Sequence, residues 1–192
     1  MVLSKKFQSQ SEAIASFDAQ ELASGLGIVH FYCFSTTTGS TVYNIGTSAD
    51  IRSSDITIAA TNTTYTFNSS SFNLPRVAKG TAFVNLTRYS DGTNSITYAI
   101  TLQRVDVDGN VTDIASAVNG VVATADMTTL AYRFPLTQTL FKVGDNLRLK
   151  LVVTGKAANT IHFGLDPSNR TAPAPSGITP STFDLYMPFL IT

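Results

Sequence analysis

The stretch "HFGLDPSNRT", residues 162–171, gathers a histidine, an aspartate, a serine and an arginine into one short segment. These are the residue types from which nucleophilic hydrolysis is built. A triad needs a base within about 3 Å of a nucleophile and an acid behind the base to orient it. The spacing here does not supply that arrangement. Ile161, Phe163 and Leu165 alternate as the inward set of a strand, so His162 points outward. Asp166-Pro167 then opens a turn, because proline fixes its own φ and restricts the residue before it. A strand end therefore separates the histidine from the aspartate, and no strained elbow presents a nucleophile. The second histidine, His30, belongs to another strand. A loop accounts for the same residues: Asp166 and Asn169 bond their own backbone and Arg170 pairs locally.

The segment "DVDGN" sets Asp106, Asp108 and Asn110 at alternate positions, as the first ligands of a calcium loop are set. Such a loop wants a bidentate glutamate at its twelfth position, and Ala117 stands there. A hairpin turn at Asp108, Gly109 and Asn110 explains the pattern more simply, since Asp and Asn tolerate positive φ and Gly prefers it. No Cys or His pair has zinc spacing, and "GLG" at 25–27 lacks the third glycine of a phosphate-cradling loop. The expectation is a protein with no catalytic residues, no metal and no cofactor. Tyr32, Tyr43, Tyr65, Tyr89 and Tyr98 are expected in the core or at its rim. With no tryptophan in the chain, a sugar-stacking platform is not signalled.

The elements that would position any site are strands. From residue 26 onward, runs rich in Thr, Val, Ile, Phe and Tyr alternate with period two between clusters of Gly, Asn, Asp and Ser. Ile96, Tyr98, Ile100 and Leu102 form one apolar face. So do Leu130, Tyr132, Phe134 and Leu136; Leu147, Leu149, Leu151 and Val153; and Phe183, Leu185, Met187, Phe189 and Ile191. With further strands at 27–34, 41–45, 55–60, 63–73, 80–88 and 161–165, about ten strands must bury one face each. This predicts a single antiparallel β-sandwich of jelly-roll type rather than a closed barrel, with a second tight turn at Gly144.

The 192 residues suit one domain with a substantial core, and 13 basic against 13 acidic residues leave no electrostatic footprint for nucleic acid. Cys33 lies in the apolar run "GIVHFYCF" as a small buried hydrophobe, and a single cysteine permits no internal disulfide. Neither a secretory signal nor an apolar run of about 18 residues is present, so folding in a cytoplasm away from membranes is expected. The sequons at Asn62, Asn68, Asn85, Asn110 and Asn169 are then not expected to carry glycans.

Residues 1–24 differ from the sandwich at 25–192, because Gln, Ser, Ala and Glu replace the Thr and Val of the body. "SEAIASFDAQELAS" has helical character with Ser11 as cap, but its apolar set is too thin to hold a helix down alone. The segment reads as an arm. Phe7, Ile14 and Phe17 cannot bury themselves against each other, so they are expected to dock on an adjacent subunit or a capsid surface, with Lys5 and Lys6 meeting acidic groups there.

Taken in order, "ELASGLGIVHFYCF", "FNLPRVAKGTAFVNL", "FKVGDNLRLKLVV", "GLDPSNRT" and "FDLYMPFLI" resemble a set of short β-rich proteins of tailed phages and marine viral metagenomes. The ASGxG, GDxLRL and DPxNR pieces are the most specific, and the similarity spans most of residues 21–192. The resemblance implies a structural component of the virion, made in the host cytoplasm. Its expected place is with the capsid, as head decoration or shell component, in contact with capsid or other virion proteins and as a homo-oligomer. The alternative is a tail or fibre domain that binds a host-surface glycan through loops at one end of the sandwich.

Overall fold

The computed structural model describes residues 26–38, 40–47, 56–58, 62–90, 92, 96–122, 128–155, 161–165 and 183–190. The expected arm, with Lys5, Lys6, Phe7, Ile14 and Phe17, lies outside the described residues, as do Asp166, Ser168, Asn169 and Arg170. The described residues form twelve strands: β1 (Leu26–Thr38), β2 (Ser40–Gly46), β3 (Ile56–Ile58), β4 (Thr63–Ser69), β5 (Arg76–Ser90), β6 (Ile96–Val105), β7 (Val111–Asp113), β8 (Val118–Val122), β9 (Thr128–Phe141), β10 (Asn146–Thr154), β11 (Ile161–Phe163) and β12 (Phe183–Leu190). Among the described residues there is no helix, and so none long and apolar enough to cross a membrane.

The protein is an all-β sandwich. One layer runs β9-β5-β12-β1, with β11 and then β3 continuing from the far end of β5; the other runs β2-β4-β10-β6, with β7 and β8 one after the other along the outer edge of β6. β1 belongs to both layers. Its first half, Leu26–Tyr32, pairs with β12 and its second half, Tyr32–Thr38, with β2. Described pairs are antiparallel except for a short parallel contact of β2 with β4 at Asn44–Asn68 and Ile45–Ser69. The sheet is therefore mixed where an antiparallel one was expected. The cause is topological: β1 turns straight back as β2, and β2 then lies beside β4 of the same layer, which runs the same way.

The alternation read from the sequence is what fills the interior. Leu147, Leu149, Leu151 and Val153 of β10 and Ile96, Tyr98, Ile100 and Leu102 of β6 are buried side by side. Phe67 meets Phe183 at 5.0 Å and Tyr98 meets Phe163 at 5.3 Å between ring centroids, both edge to face across the two layers. Cys33 is buried among these residues. Two strands escaped the sequence reading. β7 is three residues long with every side chain exposed, and β8 is interrupted by Asn119 and Gly120. Gly120 has a packing reason. A Cβ there would run into the ring of Tyr98, which crosses over β8 so that its hydroxyl hydrogen-bonds that of Tyr132.

Candidate functional site

His162 is half-buried on β11, its Nδ1 3.5 Å from the Thr57 hydroxyl and its ring beside Tyr89, while Ile161 and Phe163 point inward. His30 has a carboxylate partner that the sequence did not reveal. Register sets it opposite Tyr186 and sets Tyr32 opposite Asp184, so the imidazole Nε2 lies 3.4 Å from Asp184 Oδ1. The ring is stacked on Tyr186 at 4.4 Å and leans on Tyr32 at 4.3 Å. An imidazole and a nearby carboxylate are present, but His30 Nε2 and Asp184 Oδ1 do not hydrogen-bond each other, two tyrosine rings flank the imidazole, and the neighbouring Cys33 points into the core.

The "DVDGN" segment is a hairpin turn. The Asp106 carboxylate accepts the backbone N–H groups of Asp108 and Asn110, at 3.0 and 2.8 Å, and the Asn110 amide at 3.0 Å. The Asn110 side chain above all, followed by its backbone N–H, holds the Asp106 carboxyl below its usual range. Gly109 takes φ 85°, as the turn requires. With its oxygens committed to its own loop, Asp106 has little left for a cation. The described residues contain no group of three His, Cys, Asp or Glu side chains placed to hold a metal.

Two surfaces stand out. The first is one end of the sandwich, where segments 72–77, 105–110 and 140–146 meet. Phe72 N–H donates to the Asp145 carbonyl at 2.8 Å, Gly144 N–H to the Phe72 carbonyl at 2.9 Å, and Val107 sits over Gly144, which takes φ 91°. The Asp145 carboxylate accepts both Arg104 Nε and the Lys142 N–H at 2.7 Å. This frame holds Leu74, Val107, Leu140 and Val143 in solvent at 47% to 69% exposure. Beside them a cleft of about 390 Å³ opens between Phe31, Ile45, Phe72 and Arg76. β1 starts at this end, because Leu26 pairs with Leu190 and Phe189 pairs with Ala78. The second surface is a polar groove of about 500 Å³ on the outward face of the β4-β10-β6-β7 layer, lined by Thr66, Gln103, Val111, Asp113, Arg148 and Lys150.

No family model matches the chain, and no curated protein does. Solved structures do. The chain resembles a CocE/NonD family hydrolase from Staphylococcus aureus at 10% identity and a TM-score of 0.58, over 87% of this chain and 37% of that one. An alpha-amino acid ester hydrolase matches at 10% identity with a TM-score of 0.48, over 85% and 34% of the two chains. The CBM36-1 domain of a multidomain xylanase from the hindgut metagenome of Trinervitermes trinervoides matches at 11% identity with a TM-score of 0.34, over 84% and 95%. This chain spans about a third of the length of the hydrolases it matches. At these identities the likeness is one of fold, and no functional residue carries over.

Proposed function

We propose that this chain is a structural, non-catalytic component of a phage particle, associated with the capsid and assembled through protein–protein contacts. The observation that carries this reading is the apolar end of the sandwich. Leu74, Val107, Leu140 and Val143 project from segments that hydrogen bonds and the Arg104–Asp145 pair hold rigid, so little ordering entropy opposes their burial against a partner. Scattered surface valines need no explanation, but a set gathered on adjoining loops and a strand end at one end of the sandwich marks an interaction surface. β1 starts at that end, and in this proposal Phe7, Ile14 and Phe17 of the preceding segment add to the same attachment. The occupant is a neighbouring virion protein of the shell, and repetition of a weak contact around a symmetric assembly makes the attachment multivalent.

The test has two parts. Mass spectrometry of purified particles gives the copy number against the major capsid protein: hundreds of copies fit a head protein, whereas a handful fit the tail or fibre alternative. Retention on particles is then compared for the full chain, a chain beginning at Glu21, and a Leu74→Asp/Val107→Asp double variant. Both altered proteins are expected to fold and to lose retention. Undiminished retention of both would remove the end and the arm as docking elements.

A further inference from the structure

The groove on the outward face of the second layer belongs to neither the core nor the apolar end. Register builds it. Asn68, Arg148, Gln103 and Asp113 are successive neighbours across β4, β10, β6 and β7, and Thr66, Lys150 and Thr101 form the next row. On a plain outward face these residues would be solvated. Instead Thr101 is 8% and Gln103 7% exposed, so β6 is a sunken floor between the long side chains of β10 and the strand β7.

The floor and walls are already organised. Gln103 Nε2 donates to Asp113 Oδ1 at 2.7 Å, and Arg148 Nε donates to Asn68 Oδ1 at 2.7 Å. These bonds fix the side chains while leaving one Asp113 oxygen and the remaining N–H groups of the guanidinium facing the groove. Among the described residues the basic groups within reach of a carboxylate are Arg104, beside Asp145, and His30, beside Asp184 and charged only if protonated, so Arg148 and Lys150 are both unneutralised by such contacts. The groove thus offers two cations, one carboxylate, a carboxamide and the Thr66 hydroxyl.

That set selects among ligands. Among the described residues no aromatic ring lines the groove, so they offer none of the stacking that holds a neutral sugar. The Asp113 carboxylate repels part of any dense phosphate backbone, and nucleic-acid affinity comes from many phosphate contacts rather than from two cations. A ligand that brings both anionic groups for Arg148 and Lys150 and hydroxyl donors for Asp113 satisfies every group present. We propose that this groove binds an acidic saccharide, a glycan chain bearing carboxylate or sulfate groups. Lys150 and Arg148 meet the anions, Asp113 accepts sugar hydroxyls, and Gln103 holds Asp113 in place.

Titration calorimetry at low salt, with an oligogalacturonate, a dextran sulfate oligomer, neutral dextran and duplex DNA as probes, tests this. The expected result is binding of the oligogalacturonate or the sulfated oligomer, which also tells carboxylate from sulfate, with neutral dextran at least about tenfold weaker. Lys150→Glu should weaken the bound probe by about tenfold or more at an unchanged melting temperature. Asp113→Asn, which keeps an acceptor for Gln103, should weaken it less. Should neither acidic oligomer bind, should Lys150→Glu leave affinity unchanged, or should DNA bind as tightly as the saccharide, the proposal is overturned. Particle retention of Lys150→Glu separates the two readings, because this variant is expected to stay attached.

Discussion

Asp145 is the residue whose loss should disturb the most. Its carboxylate is 1% exposed and accepts two donors at one oxygen, Arg104 Nε and the Lys142 N–H, while its carbonyl accepts from Phe72. Asp145→Ala removes a charge-assisted bond, worth about 1.5–3 kcal/mol, and strands a backbone donor, at a cost of about 1–3 kcal/mol. Their sum matches the roughly 3–5 kcal/mol found when one partner of a buried pair is deleted. Arg104 is 23% exposed and recovers some hydration, which places the expected loss near the lower bound, about 3 kcal/mol. For a domain of this size that is a fall in melting temperature of roughly 6–12 °C. Urea unfolding of Asp145→Ala, Arg104→Ala and the double variant, with slopes compared, isolates the pair. The double variant should lose clearly less than the sum of the singles. Additive losses, or a single loss under about 1 kcal/mol, would mean that the ion pair does not hold the loops. Because those loops carry Leu74, Val107 and Val143, Asp145→Ala should also weaken particle retention beyond what its stability explains.

Leu149→Ala should cost about 2–5 kcal/mol by lost burial and a cavity, whereas Lys150→Ala, one position along and facing out, should cost little; equal shifts in melting temperature would refute the assignment of faces. Gly120→Ala should destabilise by about 1–3 kcal/mol because its methyl group would meet the Tyr98 ring, and a Tyr98→Leu background should relieve part of that cost. Burial first, and then the hydrogen bond to Tyr132, push the Tyr98 phenol far above its usual range. Its neutral form is favoured in the fold, so the associated stability is complete below pH 10 and falls as pH rises beyond it. Urea midpoints measured between pH 9 and 11.5 should drop more steeply for the native chain than for Tyr98→Phe, and identical slopes would contradict the burial argument.

What the sequence disclosed and what it withheld divide along one physical line. A strand's period is local, so the inward sets on β6, β10 and β12 could be read directly, as could the outward positions of His162 and Lys150. Turn chemistry is local too, and Gly109 and Gly144 do take positive φ. Pairing is not local. His30 acquires Asp184 because the first strand lies beside the last, and nothing within "GIVHFYCF" or "FDLYMPFLI" carries that information. The groove shows the same limit. Arg148 and Lys150 were legible as outward residues of one strand, yet their setting comes from Asn68, Gln103 and Asp113 on three other strands. Asp113 in particular sits on β7, a strand too short and too exposed to announce itself by alternation. Composition likewise gave balanced charge, an average that cannot show two cations on one face with no carboxylate partner among the described residues while Asp145 is paired with Arg104 elsewhere. In a sandwich, then, the core follows from each strand alone, but the surfaces that recognise other molecules depend on strand order. They become visible only when register sets residues from distant segments side by side.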